Sequence, residues 1–341
     1  MRALLKHDAA PGLVLRDVKI PDPGPGEVRI KVTKVGICGT DIHIYNWDAW
    51  AASVIPQPMI VGHEFVGTVE TVGEGVTGLD LGQRVSGEGH IVCGKCRNCR
   101  AGRAQYCPNT LGVGVNRTGA FAEYLVIPAE NVYPIPDAIP DEIAALLDPF
   151  GNAVHTALSF DLVGEDVLIT GAGPVGAMAA AICRHAGARH IVVSDLNDAR
   201  LELALKMGAS AVVNPSKQRM DYVTKELGMK EGFDVGLEMA GAAPALDAMI
   251  DAMRNGGQIG LRGIFPDKVS VNLSKAIFKS LRMVCIYGRE MFETWHKGLA
   301  MLESGLDISP VITHSIAIEN FETGFDALNN GQAMKVLMNV H

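Results

Sequence analysis

The chain has 341 residues, 48% hydrophobic and 20% charged, enough to bury the cores of about two domains and too apolar for a disordered segment. A formal net charge of −8 offers no basic face to a phosphate backbone, so nucleic acid is excluded as the expected partner and a small molecule is favoured. No apolar run approaches the roughly 18 to 20 residues that span a bilayer; residues 177–182 soon meet Arg184 and His185.

The opening, MRALLKHDAAPGLVLRDV, breaks its apolar stretch with Lys6, His7 and Asp8 before a signal-peptide core forms, so export is not expected. Short strands follow, separated by Gly and Pro turns, for example over 27–32, 64–72 and 121–127, which predicts a β-rich domain over 1–148. Within it GICGTDIH crowds a thiol, a hydroxyl, a carboxylate and an imidazole onto one turn, and GHE sets His63 beside Glu64 at a strand start. Cys38, His63 and Glu64 would supply three ligands to one Zn²⁺ and leave a position for water or an alcohol, the ligand count of a catalytic site. Taken singly, a lone Cys is usually a small core residue and a lone His a hydrogen-bonded one. Their joint occurrence carries the reading.

Between 88 and 110 the chain turns polar and cysteine-rich. Cys93, Cys96, Cys99 and Cys107 have the spacing C-x2-C-x2-C-x7-C, and four thiolates close the tetrahedral shell of a structural Zn²⁺ with no position left for substrate. An iron-sulfur cluster uses four thiolates too, so the spacing alone leaves the metal open. Four of the seven cysteines crowding here, in an odd total, argue against a disulfide framework and for a reducing cytoplasm.

From about Asp141 the period changes to helices alternating with short apolar strands over 166–170, 190–194, 233–238 and 257–261, the mark of a parallel sheet covered on both faces. The strand 167–170 runs directly into GAGPVG: Gly171 permits the tight bend, Gly173 lets the backbone approach a pyrophosphate, and Gly176 allows close packing of the following helix, whose N-terminus would face the phosphates. The next strand ends at Asp195, about twenty residues past Gly176, where a carboxylate accepts ribose hydroxyls and repels a 2′-phosphate. NAD is therefore expected over NADP, with Arg200 at the adenine or ribose edge. After about 290 come a helix, a Pro-containing loop, an extended stretch over 311–318 and a last helix. The plan expected is a doubly wound Rossmann domain over 149–290 inserted into the β-rich domain, to which 291–341 returns.

GHEFVGTV, GICGTDIH, the four-cysteine lobe and the glycine fingerprint, in this order, resemble the zinc-dependent medium-chain alcohol dehydrogenases over essentially the whole chain. The resemblance implies a GroES-like catalytic domain, two Zn²⁺ per subunit, a Thr40 and His43 proton relay, and Val175, Arg262, Gly263, Ile264, Ile286 and Tyr287 along the NAD. It sets Asp148 where relatives carry a Cys or Glu near the zinc, as a ligand, a holder of bound water or a relay member. The segments IHIYNWDAWA, GEGHIVCGKCRNCRAGRAQYC, GVGVNRTGAFAEYL and GREMFETWHKG resemble the members of that family that act on L-threonine. They imply oxidation of its β-hydroxyl to 2-amino-3-oxobutanoate, a homotetramer, and coupling to a CoA-dependent lyase that consumes the product. Glu88, His90, Trp47 and Arg289 are the candidates for holding the amino acid. The alternatives are a polyol dehydrogenase acting on sorbitol or butanediol and, from another class, a non-catalytic dinucleotide-binding protein.

Overall fold

The computed structural model describes residues 1–265 and 268–341. It divides into two compact units, Met1–Pro149 with Ile312–His341, and Phe150–Val311.

In the first unit the strand Glu27–Gly36 is central, with an alternating pattern that buries Val28, Ile30 and Val32. One of its edges pairs antiparallel with Glu64–Val72. The other edge is shared between Tyr124–Pro128 near its start and Lys335–Asn339 at its end. Lys335–Asn339 pairs in parallel with Ile312–Ala317, and the helix Phe321–Asn329 connects the two. Phe65, Phe121 and Phe325 are buried in the core under this sheet. A smaller sheet orders Val14–Asp17, Arg2–Lys6 and Met59–Ile60. At its end Lys6 is fully buried, its Nζ donating to the carbonyls of Ala10 (2.5 Å) and Gly12 (2.8 Å) and lying 4.8 Å from the Trp47 ring centroid. Burial pulls this ammonium down to about 8, because neutral carbonyls and a ring face only partly replace its hydration.

The second unit is a six-stranded parallel sheet in the order Ala211–Val213, His190–Ser194, Asp166–Thr170, Phe233–Glu238, Met253–Leu261, Arg282–Cys285. The expected strands at 166–170, 190–194 and 233–238 have these bounds; the fourth starts earlier, at Met253, and the strand expected from 121 begins at Tyr124. The helix Pro174–His185 follows the glycine turn, opened by Pro174 in its first turn, and buries its run from Gly176 to Cys183. Residues 291–311, expected to return to the first unit, cluster with the second. The physical reason is Gly298 of the helix Glu293–Glu303, where a Cβ would lie 3.0 Å from the Phe150 ring, so the helix packs flush on Phe150 and Val154. The return begins at Ile312.

No described helix is long and apolar enough to cross a membrane.

A candidate metal centre and dinucleotide cleft

Register builds the first cluster. Gly36 lies opposite Glu64 on one side and opposite Leu337 on the other, so the residues just past Gly36 meet those just before Glu64 and Leu337. Cys38, His63 and Lys335 therefore converge at one sheet end from three distant stretches of sequence. One ligand atom each of Cys38, His63 and Glu64 lies within 4.8 Å of the others.

The surroundings of this trio fit a cation. His63 Nδ1 is buried with no partner, and Asp41 Oδ1, equally orphaned, sits 3.9 Å away, a contact too long for a hydrogen bond. Burial alone would make the His63 imidazole less basic. The negative charge of Cys38, Asp41 and Asp148 outweighs it and pushes its pKa well above the ordinary value, so the surroundings favour positive charge at this position. Burial pushes Asp41 up to about 6, against its backbone bond from Cys38 N (2.8 Å). Asp41 is the first residue that sequence reasoning missed: it stood in GICGTDIH, but only the fold shows that it backs His63. Lys335 is the second. Its Nζ donates to both Glu64 oxygens (2.7 and 2.6 Å) and to the Ile37 carbonyl (2.9 Å), all buried, and no sequence motif marks it.

Cys38 caps the helix Gly39–Asn46, which carries Thr40 and His43 on one face. The Thr40 hydroxyl is 3.9 Å from the Cys38 sulfur, whereas His43 is exposed and bonded through Nδ1 to Asp48 (2.5 Å). Asp148 is buried, and its carboxylate lies outside the close trio. It borders His63 across Gly89, where a Cβ would be 3.6 Å from His63 Cβ and 3.7 Å from Asp148 Oδ2. In the same loop Glu88 is fully buried and accepts from His90 N (2.9 Å) and faces its ring nitrogen (3.1 Å). Trp47 caps the Thr40 helix in the left-handed conformation, φ 55°. Arg289, in the other unit, is buried against Gly151 and Asn152.

The cysteine lobe gathers Cys93, Cys96, Cys99 and Cys107, with Sγ···Sγ distances of 3.5 Å for Cys96 to Cys99 and for Cys93 to Cys107. Backbone amides point at the sulfurs, Cys99 N to Cys96, and Cys93 N and Asn109 N to Cys107. Amides of Lys95 and Cys96 draw the Cys93 thiol down to about 6, while burial and its neighbouring thiols push Cys99 up to about 12. Four thiolates thus require a cation to coexist. All seven cysteines are unpaired by disulfides.

In the second unit Gly171 has φ +91°, and a Cβ on Gly176 would lie 1.9 Å from Gly171 O, so the turn closes only on glycine. Gly173 faces open space. Asp195 Oδ2 accepts from Ala172 N (2.7 Å) and Oδ1 from Asn197 N (2.8 Å), so this carboxylate also braces the glycine turn and keeps lone pairs for hydroxyls. Arg200 Nε is buried without a hydrogen-bond partner. A cavity of about 900 Å³ opens here, lined by Thr170, Gly171, Asp195, Leu196, Val213 and Ala240 among others. Arg262 N and Gly263 N both donate to Glu238 O (2.9 Å), and Ile286 N to Leu261 O (2.9 Å). Ile264 and Tyr287 expose their side chains and Ile286 is buried. Glu238, a third missed residue, is fully buried with Oε1 accepting from Ala240 N and Gly241 N, and Oε2 unpartnered beside Gly263. Its signal was an acid closing the apolar strand Phe233–Glu238.

Two family models match the chain: the alcohol dehydrogenase GroES-like domain over residues 24–137 and the zinc-binding dehydrogenase over 174–304. The L-threonine 3-dehydrogenase of Proteus mirabilis (strain HI4320) is 59% identical over 338 residues, covering 99% of each chain. Among solved structures, a short chain alcohol dehydrogenase from E. coli CFT073, complexed with cofactor NADH, has a TM-score of 0.91 at 28% identity, covering 100% of this chain and 99% of the other. The 2R,3R-butanediol dehydrogenase of Bacillus subtilis has a TM-score of 0.90 at 26% identity, with the same coverage.

Proposed function

Because the chain belongs to the zinc-dependent medium-chain alcohol dehydrogenases, we propose that it oxidises the β-hydroxyl of L-threonine with NAD, giving 2-amino-3-oxobutanoate and NADH. The observation that carries the substrate is the 59% identity, end to end, to the Proteus mirabilis relative. The polyol reading has the butanediol dehydrogenase behind it at only 26%. Against a non-catalytic binder stands the joint presence of Cys38, His63, Glu64, Thr40 and His43.

Cys38, His63 and Glu64 would hold the catalytic zinc, with the Asp41 carboxylate behind His63 placed to take up its Nδ1 proton in a hydrogen bond once the ring is held by the ion. That ion, when bound, supplies a Lewis acid that draws electron density from the alcohol oxygen and eases loss of its proton. Thr40, next to the Cys38 sulfur, takes the proton through its hydroxyl, and His43, one helical turn on and exposed, passes it to solvent while Asp48 holds its other nitrogen. Asp148, which borders His63 across Gly89 and adds negative charge there, would act through His63 and outside the ligand trio. NAD⁺, when bound, would accept the hydride from the carbon bearing the hydroxyl, so that alcohol plus NAD⁺ would give ketone, NADH and a proton. Gly171, Gly173, Val175 and Gly176 would take the pyrophosphate, Asp195 and Arg200 the adenosine ribose, and Arg262, Gly263, Ile264, Ile286 and Tyr287 the nicotinamide half. The four thiolates of the lobe would hold the structural zinc.

A homotetramer in the cytoplasm, passing its product to a CoA-dependent lyase, completes the proposal. Supporting the assembly, the sheet ends at Arg282–Cys285, which pairs on one side among the described residues, with Ile277 and Phe278 exposed close by in sequence. The test is NADH formation from L-threonine against sorbitol and butanediol, with and without a chelator. Threonine-dependent, chelator-sensitive NADH is the expected result; NADH from the polyols alone would replace this reading.

A further inference from the structure

We infer that Lys335 is the internal counter-charge of the Cys38, His63 and Glu64 centre, a positioning residue that sets where the Glu64 carboxylate sits and how negative the donor set is toward its metal. The inference rests on the zinc reading above. Lys335 is 3% exposed, and its three ammonium protons meet three acceptors, the two Glu64 oxygens and the Ile37 carbonyl. Those acceptors belong to the residue after His63 and the residue before Cys38. One ammonium on a third strand thus ties both ligand-bearing segments together. Gly36, between Glu64 and the strand of Lys335, makes room for this: a Cβ there would lie 2.2 Å from Glu64 Oε2.

Charge counting gives the pair a role beyond bracing. A Cys38 thiolate and a Glu64 carboxylate together cancel the two charges of a zinc ion, and the carboxylates of Asp41, from the helix Gly39–Asn46, and Asp148, across Gly89, add to the negative side. His63 contributes no negative charge. Lys335 is the cation whose Nζ meets the Glu64 carboxylate directly, and it returns one positive charge to a pocket that excludes water, where Coulomb interactions are weakly screened. With it, the donor set holds its metal less tightly and polarises an alcohol more strongly. A clasp that only joined strands would not affect either property.

The experiment compares zinc-loaded wild-type protein with Lys335→Met, Lys335→Arg, Glu64→Gln and the Glu64→Gln/Lys335→Met pair, reading zinc retained against a chelator and the pH dependence of turnover. Lys335→Met is expected to keep its zinc at about tenfold more chelator than wild type, with the acid limb of turnover moved up by about one to two pH units, while Lys335→Arg stays near wild type in both. Should Lys335→Met alone fail to fold, the double variant decides: it is expected to hold zinc about tenfold better than Glu64→Gln. Equal chelator resistance within both pairs, with only the melting temperature lowered, would overturn the inference and leave Lys335 a strand clasp. Wild-type protein carrying zinc in the four-thiol lobe alone would overturn the zinc reading itself, and shows before any variant is made.

Discussion

In the four-thiol lobe every donor comes from the stretch 93–107, on a polar loop whose sulfurs are capped by local amides. The Cys38 cluster instead draws Cys38, His63 and Glu64 to one sheet end and surrounds them with Asp41, Asp148 and Lys335, most of them buried and one of them 271 residues from its partner. The first is a closed shell that spacing alone specifies; the second is an open shell whose properties come from groups that no local pattern contains. A structural ion needs only enough thiolates at the right spacing, whereas a reactive one needs its charge balance tuned, and tuning takes the whole fold.

The contrast breaks most sharply on paired variants. Cys38→Ala should lower threonine-dependent turnover by about a thousandfold or more, since a Lewis acid supplies several kcal/mol to the transition state, and metal analysis should find the lobe's zinc still present. Cys96→Ser should do the reverse, losing the lobe's zinc and melting at lower temperature while molecules that stay folded keep most of their turnover. Were Cys96→Ser as inactive as Cys38→Ala at temperatures where it is folded, the two clusters would not be separable as drawn.

A smaller effect tests whether Asp41 belongs to the open shell. Asp41→Asn should weaken zinc at the Cys38 cluster by about 10- to 100-fold in chelator competition, the usual cost of losing a carboxylate behind a ligating histidine, and leave the lobe unchanged. Next, Asp195→Ala should cut the preference for NAD over NADP by about tenfold or more in kcat/KM, with both zinc ions retained. An unchanged preference would leave Asp195 as no more than a brace for Ala172.

The last test concerns stability and the other buried lysine. Lys335 faces a carboxylate, which raises its pKa against the opposing effect of burial, while Lys6 faces carbonyls and Trp47 and is lowered to about 8. Between about 8 and its ordinary 10.5 the unfolded chain binds the Lys6 proton and the folded chain does not, so this residue makes the protein more stable as pH rises through that window. Denaturant melts of wild type and Lys6→Met at pH 7.5 and 10.5 should show wild type gaining about 1 to 3 kcal/mol relative to the variant. A pH-independent difference would mean that the carbonyls of Ala10 and Gly12 compensate the charge fully.

How much was legible follows from where each signal lives. The strands Asp166–Thr170, His190–Ser194 and Phe233–Glu238 read directly because a parallel strand covered on both faces is a continuous apolar run. The thiol lobe and the glycine turn read because their constraints are local. Cys38, His63 and Glu64 could be named and expected on one ion, but the Gly36 to Glu64 register that brings them to one sheet end is tertiary and left no mark in the sequence. Asp41, Glu238 and Lys335 carry no periodicity: a buried charge looks like any surface charge until its partner across the sheet is known. The domain return was set too early because the run after 290 is helical, and a helix does not announce which core its Gly298 face will meet.

The place of Lys335 in the chain bears on the order of events during synthesis. Cys38, His63 and Glu64 are made first, and the second unit, one continuous stretch from Phe150 to Val311, is made in full before Lys335 exists. Until then a Glu64 carboxylate driven into the core would have neither its ammonium nor the neighbouring strand Lys335–Asn339. The metal centre is thus the part of the first unit whose partners are complete last, although its ligands emerge first.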